Sequence, residues 1–312
     1  MFQNTENKKY ILHIAIAVIA LAVIFIGMLQ SGGEGSLNEE VTNTEIFSNP
    51  FVSLSLAARS AYVFDIKDGV PLYALNEEIQ LPLASLAKLM AAFVASEFLP
   101  EEGVITINKE SVEQEGDIGL RVGEKLTLQD LIDLTLVSSS NDGAHALASA
   151  LSFGEDMSPP WLETIFLDQM NIKAREIGMD QTYFVNESGL DTRKESLSGA
   201  YGSSRDIALL LGNILKKHPT LLVATRYSSQ NVVSLNGFTH TVSNTNQSIS
   251  SFPGVIASKT GFTDLAGGNL AVVFEAGPMR PIAVVVLGST QEGRFEDVRK
   301  LIEATLKYFY MQ

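Results

Sequence analysis

The sequence predicts a mixed α/β fold of the α+β type, in which an antiparallel sheet is flanked by helices and interrupted by a mainly helical insertion. Two observations lead to this prediction. Residues with the apolar patterning of β-strands occupy both ends of the globular part, at 60–76 and 268–290. Between about residues 83 and 225, apolar residues recur at spacings of three and four, which is typical of helices. Strands from both ends would therefore form one sheet around the helical segment.

The chain begins with an apolar segment long enough to cross a bilayer. Residues 10–29 read YILHIAIAVIALAVIFIGML, and His13 is the only strongly polar member. Twenty such residues predict a transmembrane helix. Lys8 and Lys9 precede it, so the positive-inside rule places residues 1–9 in the cytoplasm as a short tail. We therefore expect a single-pass protein of the cell membrane whose remaining residues are extracytoplasmic, on the periplasmic or cell-wall side.

A cleaved secretory signal is the alternative interpretation of the same segment. Its apolar region is usually about 7–15 residues and ends at a site of small residues. Here the run is longer and ends with Met28, Leu29 and Gln30, which favours an uncleaved anchor. Residues 30–50 are polar, acidic and contain glycine, as in a flexible linker. The globular domain is therefore predicted over residues 51–312.

Within this domain the elements follow from local patterns. Alternation around Asp68 and Gly69 predicts a β-hairpin. Four stretches with helical spacing follow: SLAKLMAAFVASEFL, TLQDLIDLTLVSSSNDGAHALASAL, WLETIFLDQMNIKAREIGM and SSRDIALLLGNILKKH. The final part predicts two apolar strands joined by a turn at Gly277 and Pro278, and then a closing amphipathic helix, RFEDVRKLIEATLKYF. We expect a catalytic cleft between the sheet and the helical segment.

The composition excludes several classes of function. A formal charge of −14 and a pI near 4.7 argue against nucleic acid as a partner, because phosphate-binding surfaces are rich in lysine and arginine. The chain has no cysteine, which excludes disulfides and thiolate catalysis. No zinc-binding histidine spacing and no Gly-x-Ser-x-Gly elbow occur. We therefore predict neither a metal nor an organic cofactor, and interpret His145 as a packing residue.

The first motif that could carry chemistry is the pair Ser85 and Lys88, at the start of the first predicted helix. Their spacing of three places both side chains on one helix face. A serine hydroxyl becomes a nucleophile when a neighbouring base takes its proton, and a lysine can be that base if its pKa is lowered. A capping serine beside a solvated lysine is the structural alternative.

Two further motifs follow in the chain. Ser139 and Asn141, separated by one residue, come directly after the apolar run LIDLTLV, where a helix cap is the alternative interpretation. Lys259, Thr260 and Gly261 lead through a turn into an apolar strand. A cation and a hydroxyl on a rigid strand edge suit a carboxylate-bearing substrate, whereas an exposed turn is the alternative.

The order Ser-x-x-Lys, Ser-x-Asn, Lys-Thr-Gly resembles the signature of penicillin-binding proteins and serine β-lactamases. Residues from about 55 to 309 resemble, segment by segment, the low-molecular-mass D-alanyl-D-alanine carboxypeptidases of the S11 peptidase family. The segments are LPLASLAKLMAAFVA, LRVGEKLTLQDLIDLTLVSSSNDGAHALA, MNIKAREIGMDQTYFVNESGL and SNTNQSISSFPGVIASKTGFTDLAGGNLA. The resemblance implies a penicillin-binding-protein/β-lactamase-like fold and a domain that removes the terminal D-alanine from peptidoglycan stem peptides, with β-lactams as covalent inhibitors.

The resemblance also implies catalytic roles for four residues. Ser85 would be the acylated nucleophile and Lys88 its base. Ser139 would relay a proton to the leaving amine, and Asn141 would hold the peptide amide of the substrate. Lys259 would lie close enough to help keep Lys88 neutral.

The third motif is implied to bind the substrate. Lys259 and Thr260 would recognise the terminal carboxylate. The oxyanion hole would consist of the backbone N–H groups of Ser85 and Phe262, the residue after Gly261. The segment NESGL (186–190) resembles a loop near the active site of the family, although Gly189 can also be explained by a tight turn.

Three other functions stay open at the level of sequence. A serine β-lactamase would share Ser85 and Lys88, but class A enzymes have Ser-Asp-Asn at the second motif, where this chain has Ser-Ser-Asn. A non-catalytic wall-binding scaffold would usually have lost a catalytic residue. A D,D-endopeptidase would use the same residues. Many family members continue into a β-rich domain and a C-terminal anchor; here the sequence stops at Gln312, so the N-terminal segment is expected to serve as the anchor.

Overall fold

The computed structural model describes residues 49–116, 119–151, 161–192 and 197–311. The predicted transmembrane segment 10–29, the tail before it and all but the end of the linker lie outside the described residues. Among the helices within the described ranges, none is both long enough and apolar enough to cross a bilayer.

The elements of the described ranges are numbered along the chain. The strands are β1 (Ser60–Asp65), β2 (Val70–Leu75), β3 (Leu81–Pro82), β4 (Val104–Thr106), β5 (Lys125–Thr127), β6 (Tyr183–Phe184), β7 (Ala200–Gly202), β8 (Ser229–Val233), β9 (Thr239–Ser243), β10 (Val255–Thr263), β11 (Gly267–Glu275) and β12 (Pro281–Ser289). The helices are α1 (Ala87–Phe98), α2 (Leu128–Ser138), α3 (Asn141–Ser149), α4 (Trp161–Glu176), α5 (Ser204–Lys217) and α6 (Gly293–Tyr310).

The main sheet has five strands in the order β10-β11-β12-β1-β2 and joins the two ends of the domain. Its pairings are antiparallel, and β1 aligns with β12 so that Ser60 lies opposite Leu287. The predicted hairpin around Asp68 and Gly69 is confirmed as β1–β2, and the predicted final strands are confirmed as β11 and β12. Strand β10 lies at one edge of the sheet and carries the Lys-Thr-Gly motif.

The three central strands of the sheet, β11, β12 and β1, are buried on both faces, which explains the continuous apolar sequence of β12. Ala283, Val285 and Leu287 point into the core that contains α1 and α5. Their neighbours point to the opposite face, where α6 covers a second core; these are Ile282, Val284 and Val286. Successive side chains of a strand face opposite ways, so one strand contributes to both cores.

The segment 83–225 holds α1 to α5, with short strands between them. The two-stranded sheet β4–β5 lies within this segment, and the three-stranded sheet β3-β7-β6 joins it to Leu81 and Pro82, directly before it. The middle of α1 is buried on all sides because its residues are mostly small or apolar, in the sequence AKLMAAFVAS. This arrangement places Lys88, at the second position of α1, inside the core.

The stretch TLQDLIDLTLVSSSNDGAHALASAL forms two helices, because the chain turns at Ser139. This residue ends α2 in the left-handed conformation with a φ of 63°. Ser140 then caps α3, and its hydroxyl accepts a hydrogen bond from Gly143 N at 2.9 Å. Gly143 allows the two helices to meet closely, because a β-carbon there would overlap the Thr135 hydroxyl.

Candidate active site

Ser85 lies in a 3-10 turn, Ala84–Leu86, directly before α1. Ala84 has a φ of 48°, a left-handed conformation that is costly for a residue with a β-carbon. Asn269 of β11 holds the turn to the sheet, since its Nδ2 donates to the carbonyl oxygens of Pro82 and Leu83, both at 3.0 Å. The turn leaves the Ser85 side chain partly exposed at the start of a buried helix.

Lys88 is fully buried and contacts three oxygen atoms. Its Nζ lies 2.9 Å from Ser85 Oγ, 2.7 Å from Asn141 Oδ1 and 2.7 Å from the carbonyl oxygen of Ser188. Burial lowers the pKa of Lys88 to about 7, and the negative charge of Glu187 partly opposes that effect. A large fraction of the lysine is therefore neutral near pH 7 and able to accept the Ser85 proton.

Lys259 is the second buried lysine and lies on the edge strand β10. Its Nζ donates to Ser139 Oγ at 2.7 Å and to the Thr260 carbonyl oxygen at 2.8 Å. Burial lowers its pKa, and the charges of Lys88 and Arg294 lower it further. Burial is the largest cause of the lowered pKa of Lys88, and the charge of Lys88 in turn lowers the pKa of Lys259. The expected help of Lys259 in keeping Lys88 neutral stays a prediction.

The second motif joins the two lysines. Ser139 contacts Lys259, and its left-handed conformation at the end of α2 aims the hydroxyl towards β10. Asn141 contacts Lys88 through Oδ1, and its Nδ2 donates to the Glu115 carbonyl oxygen at 2.6 Å. Both amide atoms of Asn141 are thus engaged by the protein, so a substrate amide must share or replace one of these contacts.

Gly261 brings the edge strand against the Ser85 turn. A β-carbon at this position would lie 2.8 Å from Leu83 O and 3.2 Å from Ser85 N, so no larger residue fits without movement. Thr260 Oγ1 donates to Thr245 Oγ1 at 2.6 Å, and Phe262 is exposed. The backbone of Gly261 therefore runs beside the amide of Ser85, where the oxyanion hole was expected.

The structure brings together the seven residues of the three motifs, and it adds groups that the motifs do not contain. Arg294, at the start of α6, is buried and donates from Nη1 to the Gly261 carbonyl oxygen at 2.8 Å. In the sequence, Arg294 is recognisable only as a charged residue beside the apolar face of the closing helix, which does not indicate a role in the site. Ser188 belongs to the segment 186–190, which the resemblance placed near the active site, but the role of its carbonyl had no signal, because a backbone acceptor belongs to every residue type.

His145, interpreted from sequence as a packing residue, contacts a charged partner. Its Nδ1 lies 3.2 Å from Glu187 Oε1, and both side chains are largely buried. A histidine on α3 and a glutamate 42 residues later carry no joint sequence pattern. Within the described part of the chain, no cluster of three or more metal-ligating side chains occurs.

Comparison with solved structures defines the class of fold. Penicillin-binding protein D2 from Listeria monocytogenes, solved in an ampicillin-bound form, superposes with a TM-score of 0.68 at 30% identity, over 81% of this chain and 98% of that chain. The Streptomyces K15 DD-transpeptidase has the same fold, with a TM-score of 0.71 at 23% identity over 81% of this chain and 98% of that chain. The fold is that of penicillin-binding proteins.

The particular family follows from the sequence comparisons. Residues 44–290 match the family model of the S11 peptidases, described as D-alanyl-D-alanine carboxypeptidase, and the chain belongs to this family. Carboxypeptidase DacF of Bacillus subtilis is 29% identical over 80% of this chain and 62% of its own length. D-alanyl-D-alanine endopeptidase of Pseudomonas aeruginosa is 32% identical over 74% of this chain and 71% of its own length. The chain thus spans less than two thirds of the Bacillus relative.

Proposed function

We propose that the protein is a serine-type D-alanyl-D-alanine carboxypeptidase that acts on peptidoglycan stem peptides during cell-wall maturation. One observation carries the proposal: the buried Lys88 amine lies 2.9 Å from the partly exposed Ser85 hydroxyl. Family membership supports the substrate class. The Lys259–Ser139 contact beside this pair supports a second proton pathway and a site for the terminal carboxylate.

The acylation step follows from these positions. Ser85 Oγ attacks the carbonyl carbon of the penultimate D-alanine while Lys88 Nζ takes its proton. The oxyanion that forms is stabilised by backbone N–H groups, for which Ser85 and Phe262 are the candidates. Collapse breaks the C–N bond, and the proton that Lys88 took from Ser85 passes through Ser139 to the leaving amine of the terminal D-alanine, which restores neutral Lys88.

Deacylation and substrate recognition use the same groups. Water attacks the ester carbonyl and gives a proton to Lys88, the ester C–O bond then breaks, and Lys88 returns the proton to Ser85 Oγ with release of the shortened peptide. Lys259 and Thr260 supply an amine and a hydroxyl that suit the terminal carboxylate, and the buried guanidinium of Arg294 contacts the carbonyl of the adjacent Gly261. No cofactor is needed for either step.

The test uses the full-length protein with benzylpenicillin and with a synthetic peptide ending in D-alanyl-D-alanine. We expect a persistent penicilloyl adduct by intact-mass spectrometry and release of free D-alanine, both lost in Ser85→Ala. Ser96→Ala is the matched control, because Ser96 lies on α1 and contacts only the Phe93 carbonyl among its side-chain hydrogen-bond partners. It should leave both signals unchanged.

The other outcomes separate the alternative functions. Rapid penicillin hydrolysis without an adduct would indicate a serine β-lactamase. Cleavage of cross-linked muropeptides in preference to the linear peptide would indicate an endopeptidase, the function named for the Pseudomonas relative. Absence of both adduct and hydrolysis would indicate a non-catalytic scaffold.

We further propose that residues 10–29 anchor the protein in the cell membrane with the catalytic domain outside the cytoplasm. The 20-residue apolar run and the preceding Lys8 and Lys9 support this. The full-length chain is expected to stay in the membrane pellet after alkaline carbonate washing and to be digested by protease added to spheroplasts. A secreted product whose mass lacks residues 1–29 would contradict the proposal.

A further inference from the structure

The loop that holds Lys88 also carries a largely buried carboxylate. Ser188 accepts the hydrogen bond from Lys88 Nζ at 2.7 Å, and Glu187 precedes it in the chain. Asn186 closes the loop, since its Oδ1 accepts from Gly189 N at 2.7 Å. The Glu187 side chain is 18% exposed, so its charge acts on Lys88 through the protein interior.

His145 fixes the carboxylate in this position. Its Nδ1 lies 3.2 Å from Glu187 Oε1. Burial alone would raise the pKa of Glu187, but the hydrogen bond from His145, the backbone N–H of Glu187 and the charges of His145 and Lys88 outweigh burial and lower it. Glu187 is therefore an anion at neutral pH, and it favours the ammonium form of Lys88.

We propose that Glu187, oriented by His145, is a positioning residue that controls how much of Lys88 is available as the catalytic base. The inference rests on the proposed function, in which neutral Lys88 accepts the Ser85 proton. The charge of Glu187 favours the ammonium form of Lys88, which burial disfavours. Glu187 does this without contacting Ser85. His145 holds the carboxylate in place through the 3.2 Å contact between Nδ1 and Oε1.

Other charged groups surround the pair, and they are unchanged in the variants below. Lys259 faces Lys88 from β10, and Arg294 on α6 acts on Lys259. Asp142 is buried in the first turn of α3, and His145 is buried three residues later on the same helix. Glu115 contributes its carbonyl to Asn141, and its side chain is exposed.

Glu187→Gln is the decisive variant. Acylation by benzylpenicillin requires neutral Lys88. In the wild type its second-order rate should therefore decrease as the pH is lowered, with a midpoint near pH 7. Removing the anion destabilises the ammonium form, so the midpoint should move to lower pH by about one unit. Glu187→Asp, which keeps the charge, should restore the wild-type midpoint.

His145→Gln tests the orienting contact. Glu187 then keeps its charge but loses the imidazole that fixes its position, so the midpoint should move to lower pH by less than in Glu187→Gln. His240→Gln is the matched control, because His240 Nε2 forms a buried pair with Glu124 at 2.6 Å outside the active site. That variant should leave the midpoint unchanged.

The outcomes distinguish this inference from the proposed function. Failure of the wild type to form any acyl adduct would overturn the proposed function itself. A wild-type adduct with an unshifted midpoint in Glu187→Gln, or in His145→Gln, would overturn the inference alone. Slower deacylation in Glu187→Gln with an unshifted acylation midpoint would assign Glu187 to water activation instead. That result would also overturn the inference.

Discussion

Replacing Lys88 by methionine is expected to slow the acylation of Ser85 by roughly two to four orders of magnitude, the usual contribution of a positioned general base. The methionine keeps most of the side-chain volume but removes the amine, which lies 2.9 Å from the nucleophile. The pH dependence should change as well. The decrease in rate that we expect below about pH 7 in the wild type reflects protonation of Lys88. Lys88→Met should therefore not show this decrease.

The size of this effect follows from the surroundings of the amine. A lysine in water has a pKa near 10.4 and would be almost entirely protonated at neutral pH. Complete burial in α1 removes that hydration and makes the neutral form accessible. The contacts with Asn141 and Ser188 then direct the amine towards Ser85. The fold thus supplies both the protonation state and the position of the base.

The measurement is the second-order rate of penicilloyl formation across a pH series, with circular dichroism to show that each variant is folded. Lys173→Met is the control, because Lys173 is also buried but forms ion pairs with Glu176 and with Glu97, which lies at the opposite end of α1 from Lys88. It should lose stability while its folded form keeps the wild-type acylation rate. Near-wild-type acylation by Lys88→Met would show that another group is the base.

The elements that sequence predicted share one property: their signal is local. The hairpin β1–β2 and the pair β11–β12 have apolar patterns within about ten residues and short turns between them. The three-stranded sheet β3-β7-β6 was not predicted, because strands of two or three residues have no measurable period. Its pairings, such as Leu81 with Gly202, join residues far apart in the sequence. Only the tertiary fold specifies them.

The same distinction holds within the candidate site. Each of the three motifs spans at most four residues, so sequence could identify its side chains. The contacts that set their chemistry cross long separations: Lys88 reaches Ser188 over 100 residues and Lys259 reaches Ser139 over 120. Burial of both lysines depends on the packing of α1 and β10. Sequence therefore predicted which groups react, and the fold determines their charge.

Gly189→Ala is expected to produce the largest loss of stability among the glycine substitutions near the site. Gly189 has a φ of 78°, and a β-carbon there would overlap the carbonyl of Ala84 in the nucleophile turn. The left-handed conformation costs about 1–2 kcal/mol for alanine, and overpacking adds about 1–3 kcal/mol. We expect the free energy of unfolding to fall by about 2–5 kcal/mol, measured by urea denaturation.

Gly178→Ala separates the two causes, because Gly178 has a φ of 77° and open space around its α-carbon. Its free energy of unfolding should fall by only about 1 kcal/mol, because the reduced freedom of the unfolded chain partly offsets the conformational cost. Gly189→Ala should also lose acylation in its folded form, because relief of the overlap moves Ser188 away from Lys88. Equal destabilisation of the two variants, with acylation retained in both, would show that the Gly189 loop tolerates the methyl group and does not position the base.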